Sequence, residues 1–345
     1  MKIIVNIGHP KDVNILKNII WNLEERGHMV KIFASNKEDV FQKLDAYGFS
    51  YNRGKHYKGL IRKAISILEN DFLLYKISKE FKPDIYMGPG SVSMAHVSKL
   101  FKKPYIAFID VEGAKLAIAL MQPFTDVILT PSCFNTNLGK KQVRFNSYFE
   151  LAYLHPCNFK PNPSVLKNLN LNENDKYILM RISSLNAYHD IGAKGFDFAS
   201  NDELLVFIKN LENYGHVFLT SEIKLSNKLE KYKLKIPIND LQDCIYYSTM
   251  YIGDGASMAA EAAILGVPSI YVTTTRRWGF INDLEKNYGL LYTFSNREQA
   301  LEKAVEFLAD GKIKDKWQRR RERMLSEKMN VANFITEFIE KYERK

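Results

Sequence analysis

The 345-residue sequence predicts two α/β domains, each a parallel sheet covered by helices. Short apolar runs such as KIIVNI (2–7) and KYILMRI (176–182) alternate with helical patterns. Several of those runs end in glycine or serine turns. A chain of this length with 46% hydrophobic residues can fill two cores of about 150 residues each.

The first domain is assigned to residues 1–155. KIIVNI reads as a buried strand, GHPKDVN (8–14) as the loop after it, Ile15 to Arg26 as a helix and MVKIFAS (29–35) as the next strand. This opening is Rossmann-like. Its loop carries one glycine and lacks the dinucleotide fingerprint, which disfavours a nicotinamide enzyme. Crevices form at the carboxyl ends of parallel strands, and there Asp12 and His9 are the side chains able to take a proton from a hydroxyl. Asp12 could equally cap the helix.

From Gly59 to Lys79 the pattern is a long helix. Its apolar residues, among them Ile65, Leu68, Phe72 and Tyr75, cover close to half the circumference, against the roughly 100° that one packed face needs. Lys55, Lys58, Arg62 and Lys63 border them. Such an excess fits a helix packed on two sides, or one resting on an anionic membrane. Two further strands, PDIYM (83–87) and PYIAFID (104–110), lead to Gly88-Pro89-Gly90-Ser91 and to Asp110-Val111-Glu112-Gly113. Glu112 could hold an acceptor hydroxyl.

Leu154 to Asn170 holds three prolines and four asparagines and marks the domain boundary and a hinge. The second domain is assigned to residues 156–327. Its first strand leads into Ser183 to Asp190, where Arg181, Ser183, Ser184 and His189 have the chemistry to meet a diphosphate. Ser221 ends the next strand. Tyr251 to Val272, YIGDGASMAAEAAILGVPSIYV, then reads as strand, glycine turn, helix, glycine-proline break and strand. Gly253 and Gly255 make the turn, with Ser257 as the expected helix cap. Free N–H groups there, over Gly255, Ala256, Ser257 and Met258, suit a phosphate. Glu261, set among alanines, would repel a phosphate and suits the paired hydroxyls of a ribose. Arg276 and Arg277 follow the next strand and could neutralise a departing nucleotide. Lys312 to Tyr342 reads as one or two further helices.

The net charge of +10 is concentrated in two segments. Residues 55–82 carry seven Lys/Arg against three Asp/Glu, and residues 310–345 eleven against seven. Both read either as surfaces meeting phosphate, on lipid or nucleic acid, or as solvated helix faces. No nucleic-acid module or aromatic-basic signature appears, so a basic nucleic-acid-binding protein is the weaker reading. Cys133, Cys157 and Cys244 suggest neither a disulfide framework nor a zinc site and are expected to be buried thiols. No apolar run reaches the roughly 18 residues of a membrane span, and a strand follows Met1 directly, so a cytoplasmic protein is expected. No Asp-x-Asp metal motif is visible, and no metal or cofactor is called for beyond a nucleotide-sugar substrate.

The pattern Gly255-Ala256 through Glu261 to Gly266-x-Pro268 resembles the donor-binding signature of GT-B glycosyltransferases. It is most similar to the transferase that adds N-acetylglucosamine to the lipid-linked peptidoglycan precursor, and it also resembles the UDP-N-acetylglucosamine 2-epimerases. The resemblance implies two Rossmann-like domains facing each other across a cleft, with Glu261 on the ribose and the glycine turn on the diphosphate. It also implies that residues 328–345 form a terminal helix crossing back to the first domain through Phe334, Ile335, Phe338 and Ile339. Almost the full length is similar to a little-characterised archaeal and bacterial family of predicted GT-B proteins. That likeness rests on the first loop, the NRGKH region (52–56), Arg181 through Asp190, and the central segment. The family usually has Asn-Pro-x-His-Val in its first loop; here the sequence is His9-Pro10-Lys11-Asp12-Val13, which puts Asp12 at the histidine position. Glu112 invites comparison with the epimerases' Val-Glu-Ala-Gly loop, but their Gly-Thr-Arg-Pro-Glu opening and catalytic aspartate are missing. The expected activity is thus inverting, metal-independent sugar transfer from a UDP-sugar to a hydroxyl acceptor, which could be lipid-borne. A 2-epimerase is the alternative.

Overall fold

The computed structural model describes residues 1–35, 37, 39–57, 59–183, 195–275 and 278–342, and of Leu60, Ile61 and Lys63 the backbone alone. The chain divides into two compact units, Met1–Asn158 with Lys328–Lys345, and Phe159–Glu327. Unit 1 begins β1 (Lys2–Ile7), α1 (Pro10–Glu25), β2 (Met29–Ser35), α2 (Val40–Ala46), β3 (Tyr51–Gly54) and α3 (Leu60–Phe81). It continues β4 (Ile85–Pro89), α4 (Val92–Leu100), β5 (Tyr105–Phe108), α5 (Lys115–Met121), β6 (Val127–Pro131), β7 (Gln142–Phe145) and α6 (Leu151–Leu154). Unit 2 begins α7 (Ser164–Asn168), β8 (Tyr177–Ile182), α8 (Asn201–Glu212), β9 (His216–Ser221), α9 (Leu241–Tyr247) and β10 (Met250–Gly253). It continues α10 (Ala256–Ile264), β11 (Ser269–Val272), α11 (Gly279–Lys286), β12 (Leu291–Phe294), α12 (Arg297–Ala309) and α13 (Ile313–Glu327). The last helix, α14 (Val331–Glu340), belongs to unit 1.

The described strands form two sheets, ordered β3-β2-β1-β4-β5-β6-β7 and β12-β11-β10-β8-β9, with every neighbouring pair parallel. Both are doubly wound α/β units of the Rossmann kind. Parallel strands are covered on both faces, so continuous apolar runs form them: Ile3, Ile4, Val5 and Ile7 are wholly buried, as are Ile178, Leu179 and Met180. In such sheets ligands collect where strand order reverses. Those points are β1/β4 in unit 1 and β8/β10 in unit 2.

Several elements differ from the sequence reading for local reasons. GHPKDVN is not a loop: α1 starts at Pro10, capped by His9, whose Nδ1 accepts the Lys11 N–H at 3.2 Å. Proline at the first helical position lacks only an N–H that would be orphaned anyway. Ser257 is not the cap of α10; Gly255 occupies that place with no side-chain bond, and Ser257 lies within the first turn. Of the cysteines only Cys244 is buried; Cys133 is partly and Cys157 fully exposed.

Two of the four arginines of α13 are spent inside unit 2, and Arg319 and Arg323 are exposed. Arg321 Nε donates to the Ile264 carbonyl at 3.0 Å, Gln318 to that of Gly266 at 3.3 Å, and Arg320 to that of Gly289 at 2.6 Å. These carbonyls close the C-terminal ends of α10 and α11, where partial negative charge favours a cation. Gly266, at φ +77°, completes a Schellman turn: its N–H meets the Ala263 carbonyl at 3.0 Å, and that of Val267 meets Ala262 at 2.9 Å. The glycine-proline break thus ends α10 by backbone geometry, and the basic cluster behind it is a helix clamp.

In unit 1, α14 packs on α1 and α6. Ile335 and Ile339 are fully buried there, Phe334 meets Phe145, and Glu340 pairs with Arg26 and His28.

Candidate functional site

In unit 1 the reversal point gathers His9, Lys11 and Asp12 from the start of α1. Asp12 is half-buried, and its Oδ2 accepts the Gly8 N–H at 3.0 Å, so the carboxylate folds back over the end of β1. Burial raises its pKa; His9, the Gly8 N–H and Lys11 oppose that rise and Asp110 adds to it. A carboxylate so poised is a stronger base than an ordinary aspartate. His9 spends Nδ1 on the cap, which in the neutral ring leaves the proton on Nε2. Glu112 holds the Asn135 N–H at 3.0 Å.

Lys11, which carried no role in the sequence reading, anchors this corner. Its Nζ lies 2.6 Å from Asp110 and 2.8 Å from Glu150, and Glu150 is only 2% exposed. Burial alone would lower the lysine pKa, but Asp110 and Glu150 reverse that and hold it above the ordinary range. Nearby, the Tyr105 hydroxyl accepts the Ser91 N–H at 2.9 Å and donates to the Pro89 carbonyl at 3.1 Å, fixing the end of β4 and the start of α4.

In unit 2 the reversal point brings Arg181 and Ser183, after β8, against Gly253 to Gly255, after β10. Gly253 has no room for a side chain, and Gly255 is closely approached. A Cβ on Gly253 would lie 2.2 Å from the Tyr251 hydroxyl and 2.9 Å from Arg181 Cβ, while one on Gly255 would lie 3.3 Å from Arg181 Nε and 3.4 Å from Ser183 Oγ. Arg181 therefore lies across the turn and pairs with Glu222 beyond β9. Ser221 spends its hydroxyl on a local turn, donating to the Ile223 carbonyl at 2.9 Å. Gly255, Ala256 and Ser257 are partly exposed at the uncapped start of α10, and Met258 is buried behind them. That end of the helix leaves donors for an anion.

Glu261 sits in the second turn of α10 and is 4% exposed, with Gln242 Nε2 at 3.4 and 3.5 Å from its two oxygens. Ser184, His189, Arg276 and Arg277 lie outside the described residues.

Asp254 was missed by the sequence reading. Its Oδ1 accepts the Ser183 N–H at 2.6 Å. Burial pushes its carboxyl up to about 6, against the pull of Ser183 and Arg181. The signal was present as an acid between two glycines at a strand end, but a site read as phosphate-binding gives no reason to favour an acid there.

Residues 1–333 match the model of a family described as protein of unknown function (DUF354). The chain is 23% identical over 281 residues to uncharacterized protein MJ0665 of Methanocaldococcus jannaschii, covering 77% of this chain and 80% of that one. Among solved structures it is similar to UDP-GlcNAc 2-epimerase from Neisseria meningitidis bound to UDP-GlcNAc, with TM-score 0.69, 11% identity, and 99% and 100% of the two chains covered. It is also similar to SsfS6, a glycosyltransferase of Streptomyces sp. SF2575, with TM-score 0.62, 14% identity, and 99% and 100% covered. These likenesses are of fold, and they show GT-B architecture.

Proposed function

The chain belongs to the DUF354 family, and on that premise we propose that it is a metal-independent glycosyltransferase moving a sugar from a UDP-sugar to a hydroxyl acceptor. The observation that carries the reading is the reversal point of unit 2, where the uncapped start of α10 opens beneath Arg181 with Glu261 two turns along the same helix. Backbone N–H groups and a guanidinium suit a diphosphate, and a buried carboxylate suits a ribose. Sugar transfer leaves charge on the departing nucleotide, and those donors stabilise it. In unit 1 Asp12 is assigned as the base that takes the acceptor proton, with His9 beside it. Of the two enzyme readings, epimerisation needs acid-base groups on both sides of a sugar carbon, and Glu112 alone cannot supply both.

A thermal-shift panel tests the donor. UDP and UDP-N-acetylhexosamines are expected to raise the melting temperature, and ADP and GDP are not; no response to any uridine nucleotide would overturn the reading. Incubating UDP-GlcNAc in D2O without acceptor separates the enzymes. Transfer predicts no deuterium at C2, whereas an epimerase incorporates it.

The acceptor is proposed to lie at an anionic lipid surface. On α3, Leu68 is 69% and Phe72 58% exposed, with Ile65 and Tyr75 exposed along the same face, whereas Leu74 faces the core. Arg62, Lys76 and Lys79 are exposed beside them. An apolar stripe edged by cations is the pattern of an interfacial helix. Flotation with phosphatidylglycerol vesicles should carry the protein upward and phosphatidylcholine vesicles should not, and Leu68→Glu/Phe72→Glu should abolish it. Equal flotation with both, or with neither, counts against the lipid surface.

A further inference from the structure

Asp254 places a carboxylate where a diphosphate site has least use for one. It immediately precedes Gly255, the N-cap of α10, and is 6% exposed. Besides the Ser183 N–H at 2.6 Å it receives a hydrogen bond from the Ser183 side chain. Its second oxygen abuts Gly195, where a Cβ would lie only 2.4 Å away. Charged and titratable groups surround it from every neighbouring strand. Arg181 faces it from β8 but is shared with Glu222 beyond β9. Tyr251 of β10 is coupled to Asp254, to Glu261 of α10 and to Tyr271 of β11.

A sugar nucleotide arriving at α10 adds negative charge to a corner that already holds Asp254, Glu222 and Glu261. Arg181 cannot serve the incoming phosphates and two carboxylates equally. The least costly relief is a proton on Asp254, the buried acid that immediately precedes the helix end. Resting on the function proposed above, we propose that Asp254 is a proton-accepting residue of the donor site, taking one proton from solvent as a diphosphate ester binds to unit 2. The proton removes one negative charge from the corner and leaves Arg181 to the phosphates. Its carboxyl already lies near 6, so at pH 7 about one molecule in ten carries the proton before ligand arrives, and a further rise is enough to fill it. Affinity then falls as pH rises, because the bound state holds the extra proton.

Calorimetric titration of the full chain with UDP-GlcNAc at neutral pH, in buffers of different ionisation enthalpy, reads the proton directly. UDP-GlcNAc is the probe because its diphosphate is a diester and does not titrate in this range. Uptake of most of one proton is expected, with affinity weakening on the order of tenfold between pH 6 and pH 8. Asp254→Asn should bind with no uptake and a flat pH profile. Should that variant not fold, infrared difference spectra of the wild type carry the test, with a protonated-carboxyl band expected to grow on binding. Binding without uptake, or uptake that persists in Asp254→Asn, overturns this inference and leaves the proposed function standing. No binding of any UDP-sugar removes the function and this inference together.

Discussion

Lys11→Met is expected to destabilise unit 1 by about 3–5 kcal/mol, the range for removing one partner of a buried ion pair. Lys11 occupies the first turn of α1, where a cation is disfavoured by the helix dipole, so its place there is not explained by the helix. The explanation lies in Asp110 and Glu150, at 2.6 and 2.8 Å. Methionine keeps the stem of the side chain and removes only the charge, leaving the buried Glu150 and the partly buried Asp110 without the cation between them. Hydrogen exchange across β1 and α1 measures the loss locally, as a fall in protection of that size at neutral pH. Lys11→Met/Glu150→Gln should recover most of the loss. A deficit unrelieved by the second change would mean that packing, not charge, is what Lys11 supplies.

The same lysine marks the limit of what could be read from the chain. Strands were legible wherever both faces are buried, as in β1 and β8, since a continuous apolar run has few other uses. The Gly266-Val267-Pro268 break was legible because glycine at φ +77° and a following proline end a helix by local geometry. Partnerships across sequence distance were not. Lys11 meets residues 99 and 139 positions away; Arg320 and Arg321 meet carbonyls 31 and 57 positions away. Without those partners a run of arginines reads as a surface awaiting phosphate. Ser257 misled for another reason: serine is a good cap, but the turn leaves no room for a side chain at Gly253 and brings Arg181 against Gly255, so glycine takes the cap position. Asp254 was hidden by the very reading that located its site.

Glu261→Gln is expected to weaken UDP-sugar binding ten- to hundredfold. Ala259, Ala260, Ala262 and Ala263 are wholly buried, which lets α10 lie close to the sheet, and among them Glu261 is 4% exposed. Gln242 Nε2 reaches its two oxygens at 3.4 and 3.5 Å, and glutamine keeps the shape of the side chain while removing its charge. What glutamine cannot reproduce is a charge-assisted bond to a ribose hydroxyl, about 1.5–3 kcal/mol, or one to two decades in Kd. The cleanest readout is a comparison of UDP-GlcNAc with its 2′-deoxy and 3′-deoxy forms. The wild type should prefer the ribose form by a similar factor, and Glu261→Gln should lose most of that preference. If the variant binds all forms as tightly as the wild type does, the carboxylate does not touch the pentose, and unit 2 holds its nucleotide, if any, by the helix end and Arg181 alone.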